Sequence, residues 1–138
     1  MSLRDTIYTL LSSDSALAAL LPGGMYNSDD AEEISRAETP AAFDANGELL
    51  PCALLRMETT APMGPYPDSA RTFFVVFVYQ QRGRDVIDAA MSRMFAVLHD
   101  ATISGGWVIR YADDLHDLSD PALLANFGRS RYAAIRKL

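Results

Sequence analysis

Cysteine occurs once in the 138 residues, as Cys52. No intramolecular disulfide can form, and no multi-cysteine zinc site either. Histidine is almost as scarce, with His99 and His116 alone. Most acid–base and metal chemistry at neutral pH draws on that residue. Long apolar runs are missing too. None approaches the roughly 20 residues of a membrane helix, so no membrane association is expected. The start, Met1-Ser2-Leu3-Arg4-Asp5, lacks the basic, apolar and small-residue zones of a secretory signal. No Asn-x-Ser/Thr sequon occurs, and cytoplasmic synthesis is the expectation. Internal repeats are absent, which excludes solenoids and propellers. So are the Gly-x-Ser-x-Gly elbow, the phosphate-binding Gly-x-x-x-x-Gly-Lys loop and the dinucleotide Gly-x-Gly-x-x-Gly turn. No catalytic residue, cofactor site or metal site is expected, and an enzyme is not.

What is present reads as one globular domain, residues 1–138. The hydrophobic fraction of 49% and charged fraction of 22% are ordinary for such a domain. The net charge of −6 argues against nucleic-acid wrapping, which needs basic stripes. Charge is unevenly spread. Residues 1–69 carry 3 Arg against 11 acids, and residues 70–138 carry 9 basic residues against 7 acids.

Ser2 is placed to cap a first helix, with Leu3, Ile7, Leu10 and Leu11 on one face. Asp14 caps a short second helix that ends at Pro22-Gly23-Gly24. Met25-Tyr26 begins a short strand. Residues 27–49 read as a long polar loop with at most one helical turn or small hairpin. A loop of that kind is expected to be removable in large part, across 29–46, without loss of the fold. A strand follows at 50–58. The stretch 59–70 holds Pro62, Pro65 and Pro67, reads as loop, and excludes helix or central strand. Phe73 to Tyr79 is β-branched and aromatic at both parities, a strand expected to be buried on both faces. Asp85 should cap a helix to about Ala101, with Ile87, Ala90, Met91, Met94 and Leu98 inward and Phe95 at the stripe's edge. His99 suits that helix's C-terminal dipole. Trp107 to Tyr111 reads as a strand, 113–128 as an acidic loop with one helical turn after Asp120-Pro121, and 129–136 as a last strand. The expected fold is an α+β two-layer sandwich: a mainly antiparallel sheet of four to five strands with an N-terminal and a central helix. The helices would pack on one face and leave the other for a neighbouring subunit; the alternative is that residues 1–21 and 85–101 cover both faces within one chain.

The clustered charges are the candidate functional residues. Asp29, Asp30, Glu32 and Glu33 form one acidic run, and Asp113, Asp114, Asp117 and Asp120 another. Arg71, Arg82, Arg129 and Arg131 are candidate counterparts on a neighbouring copy. Asp113, Asp114 and His116 fit no calcium-loop spacing. Cys52, between Pro51 and Ala53 in a strand, reads as a small buried hydrophobe.

The order of these elements resembles the phage tail-completion family, which includes the tail terminators of long-tailed phages. The matching segments are Leu10-Leu11, Ser12-Ser13-Asp14, Leu17 to Leu21 and Gly24-Met25-Tyr26, then Pro51 to Leu55, Phe73 to Tyr79 with Gln80-Gln81, Asp85 to Leu98, Trp107 to Tyr111 and Arg131 to Ile135. The likeness covers nearly the whole chain, although 27–49 and 113–126 are longer than the family pattern. It implies a virion protein at the head–tail junction, made in a bacterial cytoplasm. It implies a ring, usually of six copies, that contacts the tail tube protein and the head-completion or connector protein. A neck or head-closure protein, a small ligand-binding α+β domain, and an enzyme assembled between subunits around Asp113, Asp114 and His116 are the alternatives.

Overall fold

The computed structural model describes residues 2–62 and 69–137. In chain order the elements are α1 (Leu3–Ser12), α2 (Ser15–Leu20), β1 (Met25–Asn27), a 3-10 turn (Pro40–Ala42), β2 (Cys52–Pro62), β3 (Ser69–Gln80), α3 (Asp85–Leu98), β4 (Thr102–Ile103), β5 (Trp107–Asp120) and β6 (Ala125–Lys137). The fold is α+β, as the sequence predicts. The strand count differs: one six-stranded sheet runs β1-β2-β3-β6-β5-β4. All pairings are antiparallel except β1 with β2, which run parallel.

The two short helices form where their caps allow. The Ser2 hydroxyl accepts the Asp5 N–H at 3.1 Å, and the Asp14 carboxylate accepts the Leu17 N–H at 3.0 Å. The start of α3 departs from expectation. Asp85 is the first helical residue, not the cap. The Gln80 side chain, at the end of β3, reaches over instead. Its Oε1 accepts the Val86 and Ile87 N–H groups at 3.0 and 3.2 Å, and its Nε2 donates to Asp85 at 2.7 Å. A strand residue thus satisfies the orphan donors of the next helix. Helix α3 ends at Leu98, earlier than Ala101.

All three helices lie on one face of the sheet. Ile7, Leu11, Leu17, Leu21, Ile87, Met91, Met94 and Leu98 pack there against Ala53, Leu55, Phe74, Val76, Val78, Ile109, Tyr132 and Ala134. The alternative in which residues 1–21 and 85–101 cover both faces is therefore not what the chain adopts. Part of the second face is covered by the 27–49 segment. Ile34, Ala42 and Leu49 are buried there with Cys52, Leu54, Tyr79 and Ala125, and Phe43, Phe77 and Phe127 pack against them. This segment is polar in composition but folded. Asp44 and Glu48 close a small hairpin around Gly47, whose φ of 76° requires the absence of a Cβ. Thr39, 1% exposed, bonds back to Ser35. The segment is the long loop the sequence predicts, with one helical turn and a small hairpin, but its packing against the sheet has no sequence signal because its few apolar residues are spaced by turns, not by a helical or strand period.

Two other loop readings are corrected. Thr59 to Pro62 continue β2, and Pro62 pairs with Ala70. Proline fits there because β1 reaches only Leu55, which leaves this end of β2 as a sheet edge. Residues 63–68 lie outside the described residues. The larger correction is 113–128, which is a strand, a turn and a strand. β5 pairs with β6 from Val108↔Ile135 to Asp120↔Ala125, with register shifts between Tyr111 and Asp113 and between Leu115 and Leu118. Each bulge flips the inward parity, so no period-2 signal survives in the sequence. Asp120 does cap, as expected, but it caps a tight turn, accepting from Ala122 and Leu123 N–H at 3.0 and 3.2 Å.

Candidate interaction surface

Register places the candidate charges on three distinct surfaces. On the face opposite the helices, β3, β6 and β5 align Val75 with Arg131 and Asp113, and Phe77 with Arg129 and Leu115. There the Arg131 guanidinium lies 3.9 Å from the centre of the Phe73 ring, and Arg71 lies 5.1 Å from it. Arg131 also bonds Glu58 at 3.2 Å and approaches Asp113 at 3.6 Å, while Arg129 bonds Asp113. Four of the candidates, Arg71, Arg129, Arg131 and Asp113, are thus brought together. Phe73, buried only in part beneath two guanidiniums, and Glu58 were not among the sequence candidates. The signal for Phe73 was its parity with Arg71, two residues earlier on the same face.

The acidic run 113–120 is split between faces by the bulges. Asp114 turns to the helix side and accepts the Ser130 hydroxyl at 2.8 Å. Asp117 lies 3.4 Å from Arg84. Asp114 and Asp117, with Asp88, Met91, Phe95 and Tyr111, line an open groove of about 800 Å³ between α3 and β5. The Phe95 ring stacks on His99 at 4.8 Å and meets Tyr111 edge-on at 5.4 Å. His99 stands at the C-cap of α3, the helix end where the sequence places it, and its Nδ1 accepts the Tyr111 N–H at 3.1 Å, joining the helix end to the strand.

The third surface is the 29–33 run beside β1. Asp29 bonds Arg4 at 2.8 Å. Asp30, Glu32 and Glu33 are exposed and form no ion pair among the described residues. Arg82 pairs with Glu48 at 3.0 Å, far along the chain from either acidic run. Several charges assigned to contacts between copies therefore already have partners within one chain.

Cys52 is fully buried on the second face, where desolvation pushes its thiol up to about 12. Burial likewise raises Tyr79 to about 12. Such a thiol is not a nucleophile at neutral pH. Among the described residues no group of three or more His, Cys, Asp or Glu side chains converges on a metal position, and no helix is long and apolar enough to cross a membrane.

The sheet with helices on one face defines a mixed α+β architecture. It is similar to a chain in a solved structure described as the virion of a native gene transfer agent (GTA) particle. The TM-score is 0.65 at 16% identity, over 99% of this chain and 96% of that chain. No protein-family model matches the sequence, and no curated protein matches it.

Proposed function

We propose that this protein is a structural component of a phage-like virion. The observation that carries the reading is the end-to-end similarity to a chain of a gene transfer agent virion, which leaves almost nothing of either chain unmatched. A likeness confined to a few strands would carry less, because common folds host many functions.

Within that class the reading is a tail terminator. Copies of the chain form a closed ring, most simply of six, that ends the tail tube and meets the head-completion or connector protein. The segment order from Leu10-Leu11 to Ile135 supports it. So does the half-covered sheet face, where Phe73, Phe77, Val108 and Ile135 are only partly buried beside Arg71, Arg129 and Arg131. An apolar face studded with arginines suits a protein contact. A ring needs a head-to-tail contact between different patches. The unpaired acids Asp30, Glu32 and Glu33 and the arginine-bearing face supply patches of opposite sign. The role is structural, not enzymatic.

The test is deletion of the gene from the particle-producing genome, with particles imaged. The expected result is heads without joined tails and tails of abnormal length, restored by supplying the protein in trans. Intact particles of normal length would overturn the terminator reading. Absence of the protein from purified particles would overturn the virion reading itself.

A further inference from the structure

The outer edge of β5 is open over its middle. β4 covers only Trp107 and Val108. Ile109 bonds the backbone of Asp100 and Ala101, and the Tyr111 N–H is taken by His99. Arg84 occupies the Leu118 carbonyl at 3.2 Å. Between these points, from Ala112 to Asp117, no strand lies outside β5 among the described residues. An unpaired edge is a template for another strand.

The surroundings of this edge are unusual for the molecule. Among the described residues the exposed large hydrophobic side chains are Phe95, Tyr111, Leu115 and Leu124. Two belong to β5, one to the turn that follows it, and one to the helix facing it. The groove beside the edge has Phe95 and Tyr111 as its aromatic wall and Asp88, Asp114 and Asp117 as its charges. Behind it the fully buried Tyr132 hydroxyl, against Tyr111, has no hydrogen-bond partner among the described residues.

The geometry points to strand addition: this edge binds a short, extended, arginine-rich segment of a different protein. Its backbone would pair with Asp113–Leu115, the stretch between the two bulges, since Asp117 is left-handed at φ 58°. Its alternate side chains would enter the groove, whose lining offers guanidinium groups acidic and aromatic partners. A second copy fits poorly: its open β2 edge beyond Leu55 carries Glu58 and ends at Pro62, which has no N–H to donate. Its own β5 edge carries the same acids and is repelled. Its β1 edge is three residues long, has the Met25 carbonyl taken by the Tyr8 hydroxyl at 2.8 Å, and adjoins Asp29, Asp30, Glu32 and Glu33. The acids thus protect the edge from self-association while admitting a basic strand. The two bulges that flank Asp113–Leu115 limit the pairing to a few residues. This inference does not depend on the ring.

The probe is a fluorescent decapeptide alternating arginine with valine, titrated into the full chain in about 0.1 M salt and followed by anisotropy and backbone amide shifts. Saturable binding is expected, with shifts and slowed amide exchange over 113–115. A peptide N-methylated on its pairing edge should bind at least about tenfold more weakly, since it keeps its charge but loses its donors. Asp88→Asn with Asp117→Asn, both exposed, should weaken binding by a similar factor while leaving the melting transition in place. A glutamate version of the peptide should not bind. Equal binding of the N-methylated peptide would overturn strand addition, as would shifts confined to 29–33. No binding of the arginine peptide at millimolar concentration would overturn the site.

Discussion

At the scale of residues, a few polar side chains hold the helices in place. Asp14 both caps α2 and takes a two-pronged bond from Arg93 on α3, at 2.9 and 2.8 Å. The Arg93 hydrogen bond, reinforced by the Leu17 N–H, holds the Asp14 carboxyl down at about 2. A carboxyl lowered in the folded state stabilises above its unfolded value near 4. That contribution is lost as pH falls from about 4 through about 2. Asp14→Ala should therefore lower stability at pH 7 by about 1–2 kcal/mol, by urea melts. The difference between variant and parent should shrink toward pH 2. Gln80 is the second such residue. Gln80→Leu leaves the Val86 and Ile87 N–H groups near β3 without their acceptor, a loss of about 1–3 kcal/mol. Gln80→Glu keeps the acceptor but sets a carboxylate 2.7 Å from Asp85, so it should rescue only in part, and better at low pH. Equal melting of Gln80→Leu and the parent would show that water caps α3 just as well.

At the scale of elements, α3 lies close over β6 at Gly128. A Cβ on Gly128 would lie 2.7 Å from the Met91 sulfur and 3.0 Å from Ile87. Gly128→Ala should thus cost about 1–3 kcal/mol, and Met91→Ala in the same chain should recover part of it. The 27–49 segment now carries the opposite expectation to its composition. Removing 29–46 takes away Ile34 and Ala42 and uncovers Cys52 and Leu54. Each buried aliphatic side chain is worth about 1.5–3 kcal/mol, so the deletion should abolish or strongly lower the melting transition followed by circular dichroism. An unchanged melt would return the segment to the status of a loop. These elements also show what a sequence can carry. Phe73–Tyr79, the Ile87–Leu98 stripe and the Ser2 and Asp14 caps were legible because each has a local pattern. The hairpin of β2 and β3 and the α+β class followed. The 113–120 strand was illegible because two bulges break its alternation. The fold of 27–49 was illegible because it packs through scattered residues. Helices on one face only is a tertiary choice with no local trace. Of the candidate surfaces, the acid and arginine positions were legible, but not their pairing. Arg129 and Arg131 meet Asp113 only because β5 and β6 are neighbours.

At the scale of the whole molecule, the arginine-bearing part of the sheet and the 29–33 run beside β1 differ in charge, and a ring would use the difference. The arginine face keeps Arg71 without an ion pair among the described residues, and the 29–33 run keeps Asp30, Glu32 and Glu33 in the same condition. Exposed ion pairs contribute roughly 0–1 kcal/mol each, so charge would set the register of copies while partly buried Phe73, Phe77 and Ile135 supply affinity. Reversing Asp30, Glu32 and Glu33 to Lys should leave the melting of the isolated subunit nearly unchanged, within about 0.5 kcal/mol for exposed positions. It should weaken assembly, read by sedimentation at high concentration and by occupancy on imaged tails. Screening at 0.1 M salt acts over about 10 Å, so the defect should be largest at low salt and shrink as salt rises. Reversing Arg71 to Glu in the same chain should restore part of the assembly if these patches meet. Asp88→Lys with Asp117→Lys, in the β5 groove, should leave assembly of copies intact while abolishing arginine-peptide binding. If the acidic triple reversal assembles like the parent at every salt concentration, the 29–33 run is only a solvated surface, and the copies join elsewhere. If sedimentation and imaged tails both show monomers of the parent itself, the ring is lost, whereas the groove on β5 stands or falls by its own titration.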